Sequence, residues 1–151
     1  MVSVGLEVTS GSSFCQIDAL GCATDGAGGH GNNEACTIRV DAAGTLTATQ
    51  FHTESCCDYV NISGALYRGS TGPNGVTVAA GSTFSWRSDG SVTNAGWTIC
   101  LGKMRCCGAT FDRPQPSLHG RSCTSCRWEL ALYDGACPPD AAQTTFYDFL
   151  R

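Results

Sequence analysis

The sequence predicts an all-β domain, an antiparallel β-sandwich. Three observations predict it. Short runs of alternating apolar and polar residues recur between residues 36 and 101. Gly, Pro, Asn and Asp turn formers separate those runs. No run with helical periodicity occurs before residue 126.

The elements follow in order. Residues 22–34 read as loop, with Gly26, Gly28, Gly29 and Gly31 and no apolar run. From 36 to 41 the chain alternates, Cys36, Ile38 and Val40 on one face and Thr37, Arg39 and Asp41 on the other, as in a half-buried strand. Gly44 marks a turn, and Leu46 to Phe51 forms a Thr-rich second strand. Tyr59 to Ile62 is a third, ending at Gly64, and Leu66 to Arg68 is its short hairpin partner. Residues 70–75, STGPNG, are a turn. Val76 and Val78 open the next strand, and Phe84 and Trp86 alternate on another. Asp89-Gly90 turns the chain, and Trp97, Ile99 and Leu101 alternate on the last strand.

The character changes near Lys103. The tail holds four of the five prolines and five cysteines, Cys106, Cys107, Cys123, Cys126 and Cys137. Trp128, Leu130 and Leu132 alternate as one further strand. Pro138-Pro139-Asp140 followed by Gln143 reads as a capped helix start, with Phe146, Phe149 and Leu150 on one face. The sequence therefore divides into a sandwich at 14–102 and a Cys-rich extension at 103–151 that ends in a short helix.

The 11 cysteines point to an oxidising compartment, secreted or cell-surface; a reduced protein rich in metal-binding thiols is the alternative. Residues 1–14 do not read as a signal peptide, because a basic start is missing and Glu7 interrupts the apolar stretch. The expectation is a processed form or a fragment of a longer protein. Thirteen acidic against nine basic residues give a net charge of −4, with no basic run to hold nucleic acid or an anionic membrane. No apolar run reaches membrane-spanning length.

Residues 36–101 resemble a CUB domain, an extracellular β-sandwich module. The resemblance is carried by Cys36-x-Ile38, Phe51-x-x-Glu54, Asp58-Tyr59-Val60-x-Ile62, Trp86-x-Ser88-Asp89-x-Ser91-Val92, Gly96-Trp97 and the closing Cys100. It implies a CUB-like jelly roll with a calcium ion on the loops at one end. Carried over residue by residue, the ligands are Glu54, Asp58 and Asp89, with Ser91 and backbone carbonyls completing the shell. It also implies that these acidic loops receive a basic side chain from a partner. The competing reading is a set of solvated turn carboxylates. The chain departs from the family in a shorter loop between Glu54 and Asp58, in the Cys56-Cys57 pair within it, and in lacking the family's second cysteine. Disulfide connectivity is therefore not carried over.

Position alone suggests that Cys15, Cys22, Cys36 and Cys100 form two bridges, and Cys123 and Cys126 are further disulfide candidates. Cys123-x-x-Cys126 with Cys106-Cys107 also has zinc-like spacing, with His119 or Cys137 as a further ligand. Asn61-Ile62-Ser63 is an N-glycosylation sequon, and alternation turns Asn61 away from the core. The three histidines, His30, His52 and His119, stand in no recognised catalytic context. The expected function is non-catalytic, calcium-dependent recognition or adhesion of an extracellular protein or glycan. A module of a larger secreted enzyme and a zinc-stabilised structural protein are the alternatives.

Overall fold

The computed structural model describes residues 5–106 and 126–130, with side chains for 5–102. Among the described residues every regular element is a β-strand and every pairing is antiparallel.

The first sheet runs β1 (Leu6–Ser10), β4 (Ala35–Val40), β9 (Thr83–Arg87), β6 (Tyr59–Ile62) and β7 (Ala65–Tyr67). The second runs β2 (Gln16–Ile17), β3 (Ala23–Thr24), β10 (Gly96–Cys106), β5 (Gly44–His52) and β8 (Val76–Val78), with β11 (Cys126–Leu130) also paired to β10. The expected β-sandwich is thus present. Alternation explains its inner faces: Cys36, Ile38 and Val40 of β4 are buried while Arg39 is exposed, and Phe84 and Trp86 of β9 are buried between exposed Thr83 and Arg87. Trp97, Ile99 and Leu101 close the core from the second sheet, and the Trp86 and Trp97 rings meet with centroids 5.9 Å apart.

Two strands extend past the expected limits of 14 and 102. β1 pairs with β4 from Leu6↔Val40 onward, so the sandwich begins before residue 14. β10 runs on to Cys106, and its pairing with β11 spans Gly102↔Leu130 to Cys106↔Cys126. Pairing with β11 covers an edge that would otherwise present open backbone groups, and the change of composition at 103 does not interrupt the strand.

Two disulfides fasten the segment before β4. Cys15 joins Cys36 of β4, and Cys22 joins Cys100 of β10, so the four cysteines singled out together do form two bridges. All four are buried. Gly11 lies where the chain leaves β1; its φ is +72°, and a Cβ there would lie 2.1 Å from the Ala35 carbonyl oxygen. Cys107, His119, Cys123, Cys137 and the expected helix lie outside the described residues.

Candidate functional site

The end of β5 in the second sheet meets the start of β6 and the loop that follows β9 in the first, at one end of the sandwich. Thr53 is clamped to Gly69 by two hydrogen bonds: the Thr53 N–H donates to the Gly69 carbonyl at 2.8 Å, and the Gly69 N–H donates to Thr53 Oγ1 at 3.0 Å. Glu54 follows at once. Arg68 holds the next turn by donating from Nη1 to the Cys56 carbonyl at 2.7 Å, and its guanidinium lies 5.5 Å from the Tyr59 ring centroid. Cys56 and Cys57 are bonded to each other.

Asp58 immediately precedes β6, and its side chain is fully buried. β6 pairs with β9 as Tyr59↔Arg87, which puts Asp58 beside the two residues that follow β9. The Asp89 N–H donates to Asp58 Oδ1 at 2.8 Å. Asp89 is fixed in turn: its carbonyl accepts from the Asn33 N–H at 2.6 Å, and its Oδ1 accepts from the Ser91 N–H at 2.9 Å.

One oxygen each from Glu54, Asp58 and Asp89 lies within 4.8 Å of the others. Two oxygens that share a calcium ion, each about 2.4 Å from it, are at most about 4.8 Å apart. The set is therefore narrow enough for one hard cation. The donor chemistry fits too. Asp58 Oδ2 and Glu54 Oε2 are shielded from solvent and have no hydrogen-bond partner. A buried carboxylate oxygen left so is costly unless a cation or proton meets it. Burial, and then the charges of Asp89 and Asp58, push the Glu54 carboxyl above the ordinary glutamate range. Ser91 is exposed, and its Oγ lies 3.5 Å from Asp89 Oδ1.

His30 was not part of the expected set, yet it is buried against it, Nε2 lying 3.5 Å from Asp58 Oδ2. The Asn94 N–H donates to Nε2 at 3.2 Å, so Nδ1 carries the proton and donates to the Gly31 carbonyl at 3.2 Å. The ring stands edge-on to Trp86, centroids 5.1 Å apart. Glu34 secures this glycine-rich loop by accepting from the Gly31 N–H at 2.7 Å and from Trp86 Nε1–H at 3.1 Å. Ser88 adds a third tie, donating from Oγ to the Gly31 carbonyl at 2.8 Å. Sequence alone places His30 only in a glycine loop, because its partners Asp58 and Asn94 are remote in the chain.

The other expected residues fall as follows. Asn61 lies half-buried on the outer face of β6, and its Oδ1 accepts from the Gly64 N–H at 2.9 Å. It borders a shallow polar groove with Tyr59, Ser85 and Arg87. His52 is exposed at the end of β5, away from the core. Of the cysteines considered for zinc, Cys106 and Cys126 stand opposite each other at the end of the β10–β11 pair.

No known protein family, no curated protein and no solved structure matches this chain.

Proposed function

We propose that this chain is a CUB-like, non-catalytic binding module of the secreted or cell-surface compartment that recognises an extracellular protein or glycan through a calcium-ordered loop end. The observation that carries the reading is Asp58. It is fully buried, one oxygen accepts from the Asp89 N–H, the other has no hydrogen-bond partner and lies 3.5 Å from His30 Nε2, and the carboxylate sits within 4.8 Å of those of Glu54 and Asp89. Glu54, Asp58 and Asp89 would hold the ion, and the ion would offset their mutual repulsion and fix the loops that carry them. The carboxylate face left at the rim suits a lysine or arginine side chain from the partner. Two buried disulfides and the absence of a membrane-crossing helix among the described residues fit this setting.

Calorimetry with calcium, on wild type and Asp89→Ala, tests it. Extracellular modules bind at roughly 0.1–1 mM. At ten times that constant the ion stabilises the fold by about 1.4 kcal/mol. Wild type should release or absorb heat and melt higher, and Asp89→Ala should do neither while remaining folded. An absence of heat and of any melting shift in wild type at several times the upper constant rejects the calcium site.

A further inference from the structure

Glu54 belongs to two groups of potential metal ligands at once. One is the carboxylate set with Asp58 and Asp89; the other is Glu54 with Cys56 and Cys57, whose ligand atoms also lie within 4.8 Å of one another. The second group is closed while the two sulfurs are bonded to each other, since a disulfide sulfur is a poor ligand and a thiolate a strong one. Accessibility separates this bridge from the other two described. Cys56 is exposed and Cys57 half-buried, whereas Cys15, Cys36, Cys22 and Cys100 are all buried. A reductant in solution therefore meets the Cys56–Cys57 bond before the other two described bridges.

We propose that opening the Cys56–Cys57 bridge converts Glu54, Cys56 and Cys57 into a site for a thiophilic divalent cation, zinc or cadmium in kind. The step balances with an external dithiol as reductant. Its two thiols supply two electrons and two protons, the Cys56–Cys57 bond breaks, each sulfur takes a proton, and the dithiol closes into its own disulfide. The incoming cation then displaces both thiol protons to solvent. Two thiolates and one carboxylate, with water in the fourth position, suit a tetrahedral ion. Glu54 is common to both groups. On the calcium reading above, filling the sulfur site takes one of the three carboxylates from the hard cation, so the redox state of the loop selects which metal it holds.

The test uses the full chain under a phosphine reductant, which leaves no competing thiol; the phosphine is oxidised as it takes up the oxygen of water. Cadmium is titrated into reduced wild type, Cys56→Ser/Cys57→Ser and Glu54→Gln, following thiolate-to-cadmium absorbance in the ultraviolet. The cysteines of residues 103–151 are common to all three proteins, so the differences isolate the loop. Wild type should take up one more equivalent than the double serine variant, and Glu54→Gln should bind that equivalent more weakly. Equal uptake by wild type and the double variant overturns the site, and an unchanged Glu54→Gln titration overturns the sharing of Glu54. Thermal melts of the oxidised proteins check that each variant retains the sandwich. A failure of oxidised wild type to bind calcium would reject the proposed function alone, because the cadmium difference is measured without calcium.

Discussion

Asp58 accepts a hydrogen bond from the backbone of Asp89 at 2.8 Å, and this single contact joins the start of β6 to the turn after β9. It also splits the two roles of the Asp58 carboxylate: one oxygen takes this bond, and the other, 3.5 Å from His30 Nε2, has no hydrogen-bond partner. Asp58→Asn keeps an acceptor for the Asp89 N–H and removes the charge. This variant should fold, lose the calcium-induced melting shift, and be no less stable than wild type in chelator. Asp58→Ala leaves the Asp89 N–H without its partner and should be about 1–3 kcal/mol less stable than Asp58→Asn. Denaturant melts with and without calcium measure both. A calcium shift surviving in Asp58→Asn would remove Asp58 from the site.

The pH dependence should reverse sign with calcium. Glu54 is raised above the ordinary glutamate range, chiefly by burial, so the calcium-free fold binds its proton more tightly than the unfolded chain does. Stability should therefore be gained as pH falls through that raised range and lost as pH rises through it. With calcium bound the carboxylates are held ionised, and acidification displaces the ion and lowers stability. Asp25, also raised by burial, adds the same acid-side gain to both forms, so the difference between the two melting curves isolates the site. Melting temperatures against pH, in chelator and in calcium, should converge toward acid. Parallel curves would show that no proton competes with the metal.

The two buried disulfides should differ in worth. Cys22–Cys100 spans 78 residues and Cys15–Cys36 spans 21. The entropy removed from the unfolded chain grows with loop length, so each bridge contributes about 2–5 kcal/mol and the longer one more. Paired alanine substitutions, compared by guanidinium unfolding, should rank Cys22/Cys100 as the greater loss. The opposite ranking would mean that packing around the sulfurs outweighs chain entropy.

Gly96→Ala should destabilise the sandwich. Gly96 opens β10 with φ +83°, and a Cβ there would lie 1.8 Å from Asp25 Oδ2. Asp25 cannot withdraw freely, because its Oδ1 accepts from the Trp97 N–H at 3.0 Å. Strain and the displaced carboxylate together should cost about 1–3 kcal/mol or more. An unchanged melting temperature would mean that the loop around Asp25 yields without penalty.

What the sequence made legible was periodicity. The sequence predicts Tyr59 to Ile62 with its observed limits, and β4, β9 and β10 follow from residues whose alternation is strong, such as Ile38, Val40, Phe84 and Trp86. β2 and β3, each two residues long, are too short to show a period. β1 has only Leu6 fully buried, so its alternation is faint. Glu54, Asp58 and Asp89 were singled out through resemblance, and the fold brings them together. His30 was illegible because its place depends on Asn94 and Asp58, which only the folded sheets bring near it. The four buried cysteines could be named from position, but their pairing is decided by which strands lie side by side. Cys56-Cys57 was visible as an anomaly in a loop; that the two bond to each other was not read from the sequence.

The edge-on contact of His30 with Trp86 makes the core its own reporter. The imidazole touches Asp58 on one side and an indole on the other, and that indole packs on Trp97. A cation arriving at Asp58 changes the electric field felt by Trp86 through one intervening ring. Intrinsic fluorescence should therefore shift on calcium addition without any attached dye, and Trp86→Phe should remove most of the signal while leaving the calorimetric heat. On the calcium proposal, the loop end is coupled through His30 to the centre of the sandwich, and occupancy would be followed by light in the unmodified protein.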